Sequence, residues 1–168
     1  MKKKVALISV FAAATMAAAA CGSSSSAYGT PYASPVATSS PAPAPTASAG
    51  GTVINVASTR LGTILVDGSG RTLYLFVADK GTSSVCYGQC ATYWPPVLTK
   101  GSPSAGAGVD AALLGTTSRS DGTVEVTYGG HPLYYFITDK KAGDVTGQGI
   151  NGFGGPWYVV APSGMQVS

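Results

Sequence analysis

Histidine and charge are both scarce in this chain. His131 is the single histidine among 168 residues, and Asp, Glu, Lys and Arg together make up only 10 %. One imidazole excludes a blue-copper set of two histidines and a cysteine, and equally a three-histidine zinc centre. Haem attachment through Cys-x-x-Cys-His is excluded because Tyr87-Gly88-Gln89 separates Cys86 from Cys90 and no histidine follows. No Gly-x-Ser-x-Gly elbow is present to expose a nucleophilic serine. The net charge of +3 is carried by Lys2, Lys3 and Lys4; from Cys21 onward seven basic side chains face seven acidic ones. Without a basic stripe to attract phosphate backbones, nucleic acid is not an expected partner.

The N-terminus says where the rest works. Three lysines precede an apolar run, Val5 to Phe11, and small residues follow from Ala12 to Ala20. That is the layout of a secretory signal, too short and wrongly flanked for a spanning helix. Ala18-Ala19-Ala20 before Cys21, with Gly22 and a serine run after it, resembles the bacterial lipobox, although the leucine usual three positions before the cysteine is missing. The resemblance implies that Cys21 becomes the mature first residue and carries fatty-acyl chains such as palmitate. Each buried methylene contributes ~0.8 kcal/mol, so several chains on one cysteine hold a protein firmly to a membrane. Residues 1–20 are therefore read as signal peptide and 21–51 as a tether of Ser, Ala, Pro, Thr and Gly. That stretch has no charge and too little apolar surface to offset the entropy of ordering. Its span is on the order of 30 Å.

What the chain has in abundance is repetition. Leu73-Tyr74-Leu75-Phe76-Val77-Ala78-Asp79-Lys80 returns sixty positions later as Leu133-Tyr134-Tyr135-Phe136-Ile137-Thr138-Asp139-Lys140. Two copies of one supersecondary unit follow. Thr63 to Val66 and Arg71 to Ala78 flank Asp67-Gly68-Ser69-Gly70, while Thr123 to Tyr128 and His131 to Thr138 flank Gly129-Gly130; each arrangement predicts a β-hairpin. The second strand of each is apolar on both faces, with Leu73, Leu75 and Val77 on one and Tyr74, Phe76 and Ala78 on the other. A glycine-rich loop and a tryptophan strand, Trp94 to Leu98 and Pro156 to Val160, complete each unit. Thr52 to Ala57 and Gly115 to Arg119 add strands, and Asp110 caps the one helical turn expected, Ala111 to Leu113. Residues 52–168 are thus expected to be all-β, with repeats at about 60–98 and 115–164. A domain of this size supports one core rather than two independent ones, so the repeats should share it about a pseudo-twofold axis, as a sandwich or partly closed barrel.

With Cys21 assigned to lipid, Cys86 and Cys90 remain as a pair in an exported protein. A disulfide is the leading expectation, with Gly88 supplying the tight backbone of a short bridge. A redox-active or metal-bound dithiol is the alternative. Asp79 and Asp139 lie where strand becomes loop, five residues after Tyr74 and Tyr134, a separation that puts aspartate and tyrosine on opposite faces if the strand stays regular. The structural reading has each carboxylate accept from backbone N–H groups two residues on. The functional reading would pair them across the pseudo-twofold for acid–base work or cation binding, and a catalytic version adds His131. His131 itself is expected at a surface turn. Trp94 and Trp157, with Tyr74, Tyr134, Tyr135 and Tyr158, are expected to fill the core rather than stack a sugar.

Both copies fit Tyr-x-aromatic-x-x-Asp, through Tyr74, Phe76 and Asp79 and through Tyr134, Phe136 and Asp139. With Cys86-Tyr87-Gly88-Gln89-Cys90, Trp94-Pro95-Pro96 and Gly147-Gln148-Gly149 before Trp157-Tyr158-Val159-Val160, the chain resembles predicted bacterial lipoproteins built from a secreted tandem repeat. The resemblance covers about residues 60–164 and implies export, anchoring and duplication, but no reaction. The reading that results is a membrane-anchored extracytoplasmic module of unknown ligand, without catalysis, cofactor or metal of its own. Its expected partners are the membrane, through lipid, and an envelope protein or small ligand. The rival is a redox or electron-transfer accessory lipoprotein using Cys86 and Cys90.

Overall fold

A computed structural model describes residues 50–168. The expectations for the signal peptide, for Cys21 and for most of the tether fall outside the described residues. Nearly all of the regular structure is β, in three small three-stranded sheets that do not close into a barrel. Strands β1 (Val53–Thr59) and β2 (Gly62–Asp67) form a hairpin, and β4 (Ser104–Ala105) lies parallel along the other edge of β1. Strands β5 (Leu114–Ser118), β6 (Val124–Tyr128) and β7 (His131–Pro132) form an antiparallel meander. The third sheet joins β3 (Tyr74–Phe76) to β9 (Gly155–Val159) and β9 to β8 (Asn151–Gly152). Both expected repeat hairpins form, since Leu73 N–H bonds to Leu65 O at 3.1 Å and Leu133 N–H to Val126 O at 3.0 Å.

The two repeats meet along an antiparallel pair at their motif strands. Tyr74 N–H donates to Tyr134 O, and Tyr134 N–H to Tyr74 O, both at 2.9 Å. A reciprocal pair of this kind lies on a pseudo-twofold axis. The tryptophan strands are then exchanged. Trp157 pairs with Phe76 and Val159 with Tyr74. In the mirror arrangement Val97 N–H donates to Leu133 O and Tyr135 N–H to Pro95 O, both at 2.8 Å. The unit read as hairpin, loop and tryptophan strand therefore closes only by lending its last strand to the other copy. Periodicity finds strands but carries no information on which copy of a near-identical partner each one joins.

The two-faced character of the motif strands divides the shared interior in two. Tyr74, Phe76, Tyr134, Trp94 and Trp157 fill one side together with Ile64, Val66, Cys86 and Val145. Leu73, Leu75 and Leu133 fill the other, with Leu65, Val97, Val126, Tyr128 and Val160. Each cluster draws on both repeats, so the single core expected is a double one with the central strands sandwiched between. Val77 departs from the alternation and is 47 % exposed, because the chain turns at once, Asp79 N–H bonding back to Phe76 O at 3.1 Å.

Asp110 caps its helical turn as expected, accepting from Ala112 N–H at 2.9 Å. A second helix, α1 (Gln89–Tyr93), was not expected. It begins after Gly88, whose φ of 57° is a conformation that other residues adopt at a cost. Cys90 pins it to the core, and a Gly-Gln-Cys sequence gives no helical periodicity to read.

Gly147 marks the closest approach in the interior. A Cβ there would stand 2.8 Å from the Trp94 ring and 3.0 Å from that of Tyr74, both rigid and buried. Gly147→Ala is expected to lower unfolding stability by about 1–3 kcal/mol through overpacking. Urea unfolding would check this, and an unchanged midpoint would show that the ring stack yields freely.

Candidate functional site

The recurrent tyrosines and aspartates come together across the repeats rather than within them. Tyr74 donates its hydroxyl to Asp139 Oδ2 at 2.6 Å, and Tyr134 donates to Asp79 Oδ2 at 2.7 Å. The chain turns before each aspartate, Asp79 N–H bonding to Phe76 O and Asp139 N–H to Phe136 O, and the turn brings each carboxylate to the other copy's tyrosine. The second oxygen of each carboxylate holds the following loop. Asp79 Oδ1 accepts from Val85 N–H at 2.8 Å and Asp139 Oδ1 from Thr146 N–H at 3.0 Å. These donors lie six and seven residues on, so the expected two-residue turn is corrected to a longer loop clasp. Short turns of the expected kind belong instead to Asp67, which accepts from Ser69 N–H, and Asp121, which accepts from Thr123 N–H. The two motif carboxylates are thus engaged by different tyrosines. His131 stands at the β6–β7 turn, paired with Tyr128 and half-buried.

Between these hydrogen bonds lies a continuous aromatic stack. Phe76 lies on Trp157 with centroids 3.9 Å apart, Trp157 on Trp94 at 4.0 Å, and Trp94 on Phe136 at 4.2 Å. Tyr74 meets Trp94 edge-on at 5.4 Å, and Tyr134 meets Trp157 edge-on at 5.1 Å. Both tryptophans and both tyrosines are buried. Tyr135 and Tyr158 are only half-buried; Tyr135 carries Arg71 over its ring and donates to Asp67. Burial, reinforced by the Asp139 hydrogen bond, holds the Tyr74 hydroxyl well above the ordinary tyrosine range. Burial likewise raises Tyr134, and it raises Asp79 against the opposing hydrogen bonds from Tyr134 and Val85.

The expected disulfide joins Cys86 to Cys90 with Cα atoms 5.2 Å apart. Beside it runs an ionic chain that reading the sequence did not find. Arg119 is buried and donates to Glu125 Oε2 at 2.6 Å, to Ser84 Oγ at 2.8 Å and to the Cys86 carbonyl at 2.7 Å, with the Tyr87 ring over its guanidinium. Ser84 Oγ lies 2.7 Å from the Tyr134 hydroxyl, which links the ion pair to Asp79. Glu125 is fully buried, and its Oε1 has no hydrogen-bond partner among the described residues. Equivalent ladder bonds match Leu65 with Val126, so the counterpart of Glu125 in the first repeat is Ile64. That substitution of a carboxylate for an apolar residue is the signal that could have located the ion pair.

Two expected outcomes follow from this geometry. Exchange across the axis predicts that a Tyr74→Phe/Asp139→Asn double-mutant cycle yields a coupling of about 0.5–3 kcal/mol. The cycle pairing Tyr74→Phe with Asp79→Asn should be close to additive, and the reverse outcome would overturn the exchange. Burial also pushes Glu125 up to about 7, despite Arg119. Because the folded form then holds a proton that the unfolded chain has lost, this stability is fully present below the unfolded carboxylate range and disappears as pH rises through about 7. Asp79 acts in the same direction. Chemical denaturation should show a decline on the order of 2–3 kcal/mol at most between about pH 4.5 and pH 8, flattened in Glu125→Gln. Stability that climbs over this window would contradict the assignment.

A family model described as a secreted repeat of unknown function matches residues 55–98 and again 115–161. No curated protein and no solved structure matches the chain. The two matched segments cover both motif strands, the cysteine pair and both tryptophans. Among the described residues no helix is long and apolar enough to cross a membrane.

Proposed function

The chain belongs to this family of secreted repeats, and from that premise we propose that it is an extracytoplasmic module held to a bacterial membrane by acylated Cys21. In this reading it binds an envelope protein or small ligand and catalyses nothing. The observation that carries the non-catalytic part is the use made of the recurrent carboxylates. Asp79 and Asp139 each spend one oxygen on the opposite tyrosine and the other on a backbone N–H, a fold-fixing use repeated once per copy. A general acid or base needs a free face toward substrate. Contact surface is available in Val85, Tyr93, Phe153 and Met165, all exposed. Phe153 holds a φ of 58° as the first of the two residues that join β8 to β9, where Gly154 has a φ of 101° and a tight hairpin turn requires both to be positive.

The redox alternative draws less support. Cys86 is fully buried and Cys90 is 6 % exposed. Exchange requires a thiolate to reach a sulfur in line, and such burial obstructs that approach.

Anchoring is tested by phase separation of the full chain, expressed in a bacterial host, with a clouding detergent. The protein is expected in the detergent phase with acyl mass on Cys21, and Cys21→Ala is expected in the aqueous phase. An unmodified wild type in the aqueous phase would refute anchoring. Cross-linking followed by pull-down from the native envelope tests the binding role.

A further inference from the structure

A core needs rings for volume, but it does not need phenol hydroxyls aimed at carboxylates. Phenylalanine at positions 74 and 134 would fill the same space without drawing a half-buried carboxylate out of water, which is costly. The chain instead places the same device in both copies. The Tyr74 hydroxyl lies 2.6 Å from Asp139 Oδ2 and accepts from Gly147 N–H at 3.2 Å. The Tyr134 hydroxyl lies 2.7 Å from Asp79 Oδ2 and from Ser84 Oγ. Each phenol also meets a tryptophan edge-on, and the two indoles lie within 3° of parallel at 4.0 Å.

These are the parts required for one-electron chemistry of side chains. Tryptophan and tyrosine are the most readily oxidised aromatic residues, and two parallel indoles in contact share the positive charge left by a lost electron. A buried phenol gives up an electron only if its proton leaves as well, because a phenol radical cation in an apolar interior is strongly acidic and poorly solvated. Proton transfer requires an acceptor within about 2.6–3.2 Å, and each tyrosine has one. Tyr93 adjoins Trp94 in the chain, is 46 % exposed and packs 5.9 Å from Phe153, which gives an oxidant an aromatic surface beside the stack.

We propose that Trp94, Trp157, Tyr74 and Tyr134 form an internal relay. It accepts an oxidising equivalent from a high-potential one-electron oxidant, a high-valent metal complex or an oxygen-centred radical, and stores it as a neutral tyrosyl radical. The oxidant gains one electron, and the indole pair that supplies it becomes a radical cation. One electron from tyrosine restores the indole while the tyrosine O–H bond breaks, and the proton passes to Asp139 Oδ2 or Asp79 Oδ2. The net change is tyrosine plus carboxylate giving tyrosyl radical plus carboxylic acid plus one electron. A later electron, with return of the same proton, resets the site. Burial raises the proton affinity of Asp79, which suits it to the acceptor role. The relay is independent of lipid anchoring and of any partner the surface binds.

Flash photolysis of the full chain in detergent micelles, with a ruthenium tris(bipyridine) complex and persulfate as photo-oxidant, tests it. Transient absorption is expected to show a tryptophan radical followed by a neutral tyrosyl radical. The second should appear at a rate indifferent to buffer-base concentration, because the acceptor is internal, and more slowly in D2O. Tyr74→Phe/Tyr134→Phe, shown to be folded by circular dichroism, should lose that phase and prolong the tryptophan radical. Asp79→Asn/Asp139→Asn should make tyrosyl formation dependent on buffer. Should the asparagine variant fail to fold, buffer independence and the isotope effect in the unaltered chain decide the matter. Tyrosyl kinetics unchanged in the phenylalanine pair, or a rate that follows buffer concentration in the parent, would place the radical on surface tyrosines and overturn the proposal. So would a tryptophan radical that never passes to tyrosine.

Discussion

Everything else in the domain depends on two hydrogen bonds that cross between its halves, Tyr74 to Asp139 and Tyr134 to Asp79. A phenol and a carboxylate are both expensive to bury alone, and each removes the other's penalty. Because the donor always comes from one repeat and the acceptor from the other, neither copy can satisfy the tyrosine-facing oxygen of its own carboxylate. The same exchange moves the tryptophan strands, so that Trp157 stacks on Phe76 and Trp94 on Phe136. A half-domain would expose an unpaired sheet edge, half of a ring stack and a carboxylate with no phenol. Duplication here is a condition of folding rather than an addition to it.

Much of this was legible in the residues and some of it was not, for reasons that can be located. The alternation of Leu73 and Leu75 with Tyr74 and Phe76 states that the strand has two apolar faces, and the structure places those residues in two separate clusters. Asp110 before Ala-Ala-Leu states a cap, and Gly88 between the cysteines states a left-handed backbone. Odd spacing points Asp79 away from Tyr74 only along a regular strand, and the chain turns after Phe76. What alternation cannot state is where Asp79 turns to, because the answer is a residue fifty-five positions away, chosen by tertiary symmetry. Glu125 was hidden for another reason. On alternation Val124 and Val126 assign it to solvent, yet Leu98 of the exchanged tryptophan strand bridges to it and Arg119 reaches it from the preceding hairpin turn.

The pseudo-symmetry is also broken in a consistent place. After Asp79 the loop is held by the Cys86–Cys90 bridge, by α1 and by Arg119 on the Cys86 carbonyl. After Asp139 the corresponding loop is held by Thr146 and by Gly147 packed beneath the rings, with Gln148 spanning from Val159 N–H to the Val167 carbonyl. The first copy uses covalent and ionic constraint where the second uses close packing and amide hydrogen bonds. Both devices solve one problem, which is to present a tryptophan to the stack at a fixed height.

That division locates the surface on which the two halves can differ without harm to the core. Val85 and Thr146, which donate their N–H groups to Asp79 and Asp139, are both exposed, but only the first copy puts an apolar side chain there, Val85 at 52 %. Tyr93, at the end of α1, faces solvent beside Phe153, which comes from the turn between β8 and β9. Apolar side chains kept in water on a loop clamped by a disulfide and a buried ion pair are held in a defined arrangement, and rigid presentation lowers the entropic cost of recognition. The constraint that the first repeat spends on its loop therefore acts outward as well as inward: the same few bonds that fix the Trp94 indole also fix exposed Tyr93, its neighbour at the end of α1.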